Sequence, residues 1–112
     1  MLIDFNVLKE RRGPAMNGGT GELSAKIQML PEGKVILSRI HPGGAIGLHR
    51  HDTSDDINYV LSGRGKALCD GTEESLYAGC CHICLQGSEH SIINTGDGDL
   101  CLLTVVAERT AP

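Results

Sequence analysis

The sequence predicts an all-β fold, a sandwich or barrel, and three observations support this prediction. Short β-prone runs of four to eight residues follow one another between residues 23 and 107. Turn signals separate these runs, and the chain holds 15 glycines. No stretch of about twelve or more residues shows helical periodicity. Short strands at regular spacing with tight turns are typical of all-β sandwiches and barrels.

Eight strands are predicted in chain order; the first seven end at turn signals, and the eighth closes the chain. They cover residues 23–30, 34–40, 57–61, 66–69, 75–78, 80–85, 90–95 and 100–107. Between the fourth and fifth of them, Asp70-Gly71 is a strong hairpin signal.

The chain is long enough for one domain of 112 residues. Residues 1–22 are predicted to form an arm or edge strand, because Gly13-Pro14 and the glycine-rich residues 18–21 break any regular element. We expect residues 23–107 to form the folded barrel and residues 108–112 to form a tail.

The composition argues against nucleic-acid and membrane partners. The formal net charge is −4, no Lys/Arg cluster stands out, and the only aromatic residues are Phe5, Tyr59 and Tyr77. Nucleic-acid surfaces combine basic patches with stacking rings. No apolar run approaches the roughly 20 residues that span a bilayer, and residues 1–4 lack the pattern of a secretory signal. We therefore expect a soluble cytoplasmic protein.

The cysteine count favours packing over disulfide bonds. The chain has five cysteines, and an odd number without a secretory signal argues against a disulfide framework. Cys81 and Cys84 form a C-x-x-C pair, which can be a zinc site or a redox pair. A zinc ribbon needs a second such pair, and the sequence has none. The alternative, which we favour, is that these thiols are small buried hydrophobes.

Four residues form the candidate metal site that the sequence predicts: His49, His51, Asp56 and His90. His49 and His51 are two residues apart, and such residues on a strand point to the same face. Asp56 follows after a short bend, and His90 begins a later strand. Three neutral imidazoles and one carboxylate suit a divalent transition metal such as Mn, Fe, Co, Ni or Zn. Such a donor set leaves positions open for water, a substrate oxygen or dioxygen.

A single histidine in a β protein is more often an ordinary polar residue than a ligand, but the glycines around this set resemble the first cupin motif. Gly43 is followed by five residues and then by His49-Arg50-His51; four residues precede Asp56, and six more precede Gly63. The cupin motif has Glu where this chain has Asp56. The shorter carboxylate either binds the metal, directly or through water, or lies behind a three-histidine centre and fixes an imidazole tautomer.

The second cupin motif is matched over residues 79–94. A glycine is followed by five residues, Leu85, one residue, Gly87, two residues, His90, three residues and Asn94. Leu85 replaces a proline of the motif, which affects a turn rather than the metal. From residue 23 onward, the chain thus resembles a small single-domain microbial cupin of the RmlC-like type.

The resemblance implies a double-stranded β-helix, or jelly roll, with the metal inside its mouth. It also implies a homodimer that exchanges N-terminal strands, a role that would suit residues 1–22. If Asp56 faces inward, strand parity turns Asn58 inward too, where it contacts a ligand or pairs with backbone at the rim. Gln86 is a second candidate substrate contact, while His41 and His82 are left outside the metal site.

Three functions remain open at this point. The protein can be a metal-dependent dioxygenase, decarboxylase or isomerase acting on a small carboxylate, diketone or sugar-like metabolite. The chain resembles the small oxalate-decarboxylase-like cupins, a resemblance of fold and not of a demonstrated reaction. The same pocket can bind or sense a small molecule without catalysis, since fold does not fix function. It can also be a metal-free structural dimer whose histidines line a cavity.

Overall fold

The structure, a computed structural model, describes residues 1–109. This part of the chain forms ten β-strands and no helix, which confirms the all-β prediction. The strands are β1 (Arg11–Pro14), β2 (Glu22–Leu30), β3 (Gly33–Ile40), β4 (Ala45–Arg50), β5 (Ser54–Ser62), β6 (Arg64–Cys69), β7 (Thr72–Tyr77), β8 (Cys81–Cys84), β9 (Glu89–Asn94) and β10 (Leu100–Glu108). Within residues 1–109 there is accordingly no helix of the length and hydropathy needed to cross a membrane.

The strands form two antiparallel sheets that enclose one core. The six-stranded sheet has the order β1-β2-β3-β10-β5-β8, and the four-stranded sheet has the order β4-β9-β6-β7. Apolar side chains from both inner faces are fully buried between them: Ile40, Val60, Ala67, Ile92, Leu100 and Leu102. This arrangement of two packed sheets is the predicted double-stranded β-helix, or jelly roll.

Strand parity positions the inner face of β5. Asp56, Asn58 and Val60 are buried, as the alternation of a strand predicts. Asp55 turns the other way, where its carboxylate accepts hydrogen bonds from the Gln86 backbone N–H at 2.9 Å and from Arg109 Nε at 2.8 Å. Asp56 therefore faces inward, and the prediction that Asn58 then faces inward too is confirmed.

The hairpin predicted at Asp70-Gly71 is confirmed. Cys69 pairs with Thr72, so β6 and β7 are joined by a two-residue turn. Both turn residues have positive φ angles, 49° at Asp70 and 82° at Gly71. Such a turn matches the right-handed twist of the flanking strands.

Two elements differ from the sequence prediction. Gly13-Pro14, expected to break regular structure, end the edge strand β1, where the missing N–H of a proline leaves no partner unsatisfied. β4 was absent from the predicted strands because Gly47 interrupts its apolar pattern. An added Cβ at Gly47 would lie 2.1 Å from the carbonyl oxygen of Asn17, so only glycine admits this close approach.

The ends of the chain frame this domain. Residues 1–10 form no strand, and residues 15–21 lead from β1 into β2. Of the expected tail, Glu108 still belongs to β10 and Arg109 follows it, while residues 110–112 lie outside the described part of the chain.

Candidate metal centre

The candidate metal centre lies between the two sheets. His49 belongs to β4 and pairs directly with His90 of β9, within the four-stranded sheet. His51 follows the end of β4. Asp56 comes from β5 in the six-stranded sheet. The centre therefore combines three histidines at one end of the four-stranded sheet with an aspartate of the opposite sheet, and these side chains face each other.

The three imidazoles meet through their Nε2 atoms. The Nε2 atom of His51 lies 3.0 Å from the Nε2 atom of His49 and 3.0 Å from that of His90. The Asp56 Oδ2 atom lies 3.1 Å from His90 Nε2 and 3.6 Å from His51 Nε2. Such separations are those expected of donors that share one ion through bonds of about 2.1 Å. The structure thus brings together the four residues that the sequence singled out.

The opposite ring nitrogens fix the tautomers of two of these histidines. His49 Nδ1 lies 2.7 Å from the carbonyl oxygen of Gly47, which can only accept, so Nδ1 carries the proton. His90 Nδ1 lies 2.8 Å from His82 Nε2, and His82 Nδ1 lies 2.6 Å from a Glu74 carboxylate oxygen. An ionised Glu74 accepts from His82, so His82 Nε2 in turn accepts from His90 Nδ1–H. The Nε2 atoms of His49 and His90 are then unprotonated, and each carries a free lone pair.

With neutral imidazoles and an ionised Asp56, no arrangement of protons satisfies the inner contacts. The lone pair of His90 faces the Asp56 carboxylate, acceptor against acceptor, and a single proton on His51 Nε2 cannot relieve that contact. With Asp56 ionised, a solution by protons alone places positive charge on at least two of the histidine rings, and with all rings neutral it requires a proton on Asp56 itself. One metal cation at the common point satisfies all four donors with every ring neutral. The residues present therefore fit a bound divalent metal.

Asp56 is held as an ionised group. Burial by itself raises the pKa of Asp56, but hydrogen bonds that it accepts from a protonated His90 and from Asn58, together with the positive charge of protonated His90 and His51, outweigh burial, so in the metal-free site the pKa lies below its ordinary value. Asn58 Nδ2 donates to Asp56 Oδ2 at 3.0 Å, and Asn58 Oδ1 accepts from Thr104 Oγ1 at 2.7 Å. The carboxylate is thus fixed in place from behind by a buried polar chain.

His51 is held in the form that binds metals. Burial lowers the pKa of His51 below 6.5, and the neighbouring imidazoles of His90 and His49 act in the same direction, against the attraction of Asp56. A neutral imidazole is the form that donates a lone pair to a metal.

A cavity of about 350 Å³ opens in front of the centre. Its wall is mainly apolar, with contributions from Ile36, Ile46, Leu102 and Val106. Lys34 is the one Lys or Arg among its described lining residues, and it forms no ion pair or side-chain hydrogen bond with any residue from 1 to 109. The cavity therefore offers a small ligand a cation beside the histidines.

The other sequence-predicted site residues take different positions. Asn58 lines the cavity, but its amide is already bonded to Asp56 and Thr104. Gln86 is not among the lining residues, and its Nε2 donates to the backbone carbonyl of Asp52 at 3.1 Å. His41 lies outside the centre, as expected, with Nδ1 at 2.9 Å from an Asp99 carboxylate oxygen.

The cysteines form no disulfide within the described residues. Cys81 is exposed and Cys84 is buried, because residues three apart on a strand point to opposite faces. Burial raises the pKa of the Cys84 thiol to about 12. The C-x-x-C pair is therefore split between the two faces of β8. The prediction of small buried thiols is confirmed for Cys84 and wrong for Cys81, whose side chain lies on the outer face of the strand.

Three features of the site were not found from the sequence. The sequence motifs assign no role to His82, although its parity with buried Cys84 indicates an inward direction. Lys34 shares the inward parity of Ile36 on β3, but a lysine is expected to face solvent. Met16 lies in the segment predicted as an arm, and it lines the cavity because its carbonyl accepts from the Gly47 N–H.

Comparison with known proteins agrees with this geometry. The Cupin domain profile matches residues 36–106. The oxalate-binding protein of Thermotoga maritima is 31% identical over 112 residues, which cover 95% of this chain and 93% of that protein. The pectin degradation protein KdgF of Dickeya dadantii is 28% identical over 67 residues, 59% of this chain and 61% of that protein.

Solved structures show the same fold. A crystal structure described as a predicted oxalate decarboxylase from Thermotoga maritima superposes with a TM-score of 0.90 and 28% identity, covering 97% of this chain and 100% of that one. KdgF from Halomonas sp. superposes with a TM-score of 0.71 at 19% identity, over 79% of this chain and 80% of that one. With the profile match, the fold and the clustered histidines, the chain belongs to the cupin family.

Proposed function

We propose that this cupin binds one divalent transition metal, Mn, Fe, Ni or Zn, through His49, His51, His90 and Asp56, and uses it to hold a small carboxylate. The observation that carries the proposal is the set of inner contacts that neutral imidazoles and an ionised Asp56 cannot satisfy with protons alone. Three nitrogens and one oxygen suit these metals. When bound, the metal supplies a Lewis acid with positions open toward the cavity.

The cavity supports a small anionic ligand. A volume of about 350 Å³ is at the lower end for ligand pockets. Lys34 supplies a positive charge at its wall, and Ile36, Ile46 and Leu102 line the wall with apolar side chains. A ligand with two carboxylates can place one on the metal and the other near Lys34. Oxalate is the first such ligand to test, because a relative with 31% identity is named an oxalate-binding protein.

Decarboxylation of the same ligand is a second candidate. Breaking the carbon–carbon bond of a dicarboxylate releases CO₂, and the remaining carbon must take up a proton. Glu108 lines the cavity outside the metal site, and its Oε2 accepts a hydrogen bond from Thr53 Oγ1 at 2.7 Å. Glu108 is the carboxyl group outside the metal site among the cavity's lining residues, and it is the candidate to test for that proton transfer.

We also propose that the protein acts as a cytoplasmic homodimer. The outer face of the six-stranded sheet carries two apolar rows across four strands, Val35-Val105-Ile57-Ile83 and Leu37-Leu103-Tyr59-Cys81. Tyr59 and Ile83 are 43% and 48% exposed there. An apolar patch of this extent is typical of an interaction surface. Five free cysteines suit a reducing compartment.

Calorimetric titration of oxalate into the protein tests the proposed function. The protein is first stripped with a chelator, and one half is reloaded with Mn²⁺. We expect the loaded protein to bind about one oxalate per chain and the stripped protein to bind none. Equal binding by both samples, or binding by neither, would reject a metal-held carboxylate. CO₂ release from the loaded sample separates the decarboxylase from the binding protein.

A further inference from the structure

A buried histidine links the metal centre to the outside of the protein. The His82 side chain is completely buried, and it lies between His90 and Glu74. His82 Nε2 is 2.8 Å from His90 Nδ1, and His82 Nδ1 is 2.6 Å from Glu74 Oε1. The Glu74 side chain is 49% exposed. An unbroken chain of hydrogen bonds therefore runs from the surface to a candidate metal ligand.

Of the three imidazoles in the candidate metal centre, one has a carboxylate behind it. His49 Nδ1 donates to the neutral carbonyl of Gly47, and His51 Nδ1 lies 3.4 Å from the hydroxyl of Ser54, a long contact. Only His90 is connected to a carboxylate through its outer nitrogen. A carboxylate partner makes an imidazole a stronger donor than a carbonyl does and fixes its orientation.

We infer that Glu74 and His82 are positioning residues for His90: they hold its ring in the Nδ1–H tautomer and strengthen its Nε2 atom as a metal donor. The inference rests on the proposed metal site. Glu74 lies on β7 and His82 on β8, so this series of hydrogen bonds connects the two sheets. Each N–H donor in this series of hydrogen bonds faces one acceptor, which leaves the His90 Nε2 lone pair directed at the metal centre.

The neighbouring residue Glu73 provides a matched control. It lies on the same strand with its side chain 57% exposed, and it pairs with Lys66 at 3.0 Å. Glu74→Gln and Glu73→Gln remove the same charge from the same strand. We expect Glu74→Gln to weaken Co²⁺ binding to the stripped protein about 10-fold, whereas Glu73→Gln changes it less than about 2-fold. The ligand-field absorption spectrum of bound Co²⁺ should shift in Glu74→Gln only.

A double-mutant cycle shows whether Glu74 acts through His82. Gln at position 82 can still accept from His90 but cannot pass on the charge of Glu74. We expect Glu74→Gln to have less than about a 2-fold effect on Co²⁺ affinity in the His82→Gln background. Equal effects of Glu74→Gln in both backgrounds, or a Glu74→Gln protein with the affinity and spectrum of Glu73→Gln, would overturn the inference.

The tautomer of His90 can be read without any metal. At a pH where His90 is neutral, long-range ¹⁵N–¹H spectra of the stripped protein should show its proton at Nδ1, and His82→Phe should abolish this preference while Glu73→Gln keeps it. A His90 tautomer that ignores His82 contradicts the positioning role. Because this measurement uses stripped protein, the positioning role can survive or fail independently of the proposed metal binding.

Discussion

The Oδ2 atom of Asp56 lies 3.1 Å from the Nε2 atom of His90, although the two residues come from opposite sheets. The shorter side chain of aspartate therefore reaches the histidines. It does so because β5 turns Asp56 inward and Asn58 holds its carboxylate from behind. This contact adds the carboxylate to the three imidazoles of the candidate metal centre. It also connects the two sheets of the fold.

Removing the charge of Asp56 should weaken the metal site. We expect Asp56→Asn to lower metal affinity about 10- to 100-fold, because a neutral amide neither balances the cation nor matches the carboxylate as a donor. Calorimetric titration of the stripped protein with Mn²⁺ measures this. Asp55→Asn is the control, since Asp55 faces Gln86 and Arg109 on the other side of the strand. Unchanged affinity in Asp56→Asn would place this carboxylate outside the metal site.

Lys34 should matter for the ligand and not for the metal. Lys34→Met keeps the length of the side chain but removes its charge from the cavity wall. We expect oxalate binding to weaken about 10-fold, the size of a lost charge-assisted hydrogen bond, while the metal content stays the same. Lys66→Met, on the other sheet, should leave both unchanged. A Lys34→Met protein that binds oxalate normally would show that the ligand does not contact this lysine.

The apolar outer face of the six-stranded sheet should carry the dimer contact. Tyr59→Asp places a charge in the middle of this face, and we expect it to shift the protein from dimer to monomer in size-exclusion chromatography with light scattering. Tyr77→Asp is the control, because Tyr77 is 57% exposed on β7 of the other sheet. A dimer that persists in Tyr59→Asp, or that dissociates equally in Tyr77→Asp, argues against this surface.

Asp99 should contribute acid-sensitive stability. A hydrogen bond from His41 lowers the pKa of Asp99 below 3.8, and Arg39 adds to this effect. The folded protein therefore keeps Asp99 ionised where the unfolded chain already takes up a proton. The contribution is complete at pH values above 3.8 and is lost as the pH falls through the lowered pKa.

Urea unfolding of the protein and of Asp99→Asn tests this at about pH 7 and about pH 3. The variant should be less stable near neutral pH, and the difference should shrink in acid. The exposed Asp97 provides the control substitution Asp97→Asn. A stability difference between Asp99→Asn and the unchanged protein that grows as the pH falls would contradict the sign of the effect.

Much of the fold and of the histidine cluster could be predicted from the sequence. The turn glycines mark the strand ends, and the spacing around His49, His51 and His90 follows from how two strand ends meet in this fold. The reach of Asp56 could not be predicted, because it depends on how far apart the two sheets pack. The structure adds a partner for Asn58 that neither alternative contained, a hydrogen bond to Asp56 itself, beside longer contacts with backbone carbonyls.

The role of His82 was hidden for a different reason. Its partners Glu74 and His90 lie eight residues away on either side, and each belongs to another strand. Only the register of three strands, and the direction in which their side chains point, show that Glu74, His82 and His90 form one series of hydrogen bonds. The pattern of a single strand predicts which side chains are buried, but it does not say what they meet.

Metal content tests the central claim most directly. The protein should be purified without a chelator or an affinity metal, and its bound metals measured by elemental analysis together with those of His51→Ala and His41→Ala. We expect about one equivalent of a transition metal per chain, lost in His51→Ala and retained in His41→Ala, which lies outside the centre. Less than about a tenth of an equivalent in the unchanged protein, still absent after incubation with Mn²⁺, Fe²⁺, Ni²⁺ or Zn²⁺, would contradict the claim that these imidazoles hold a metal.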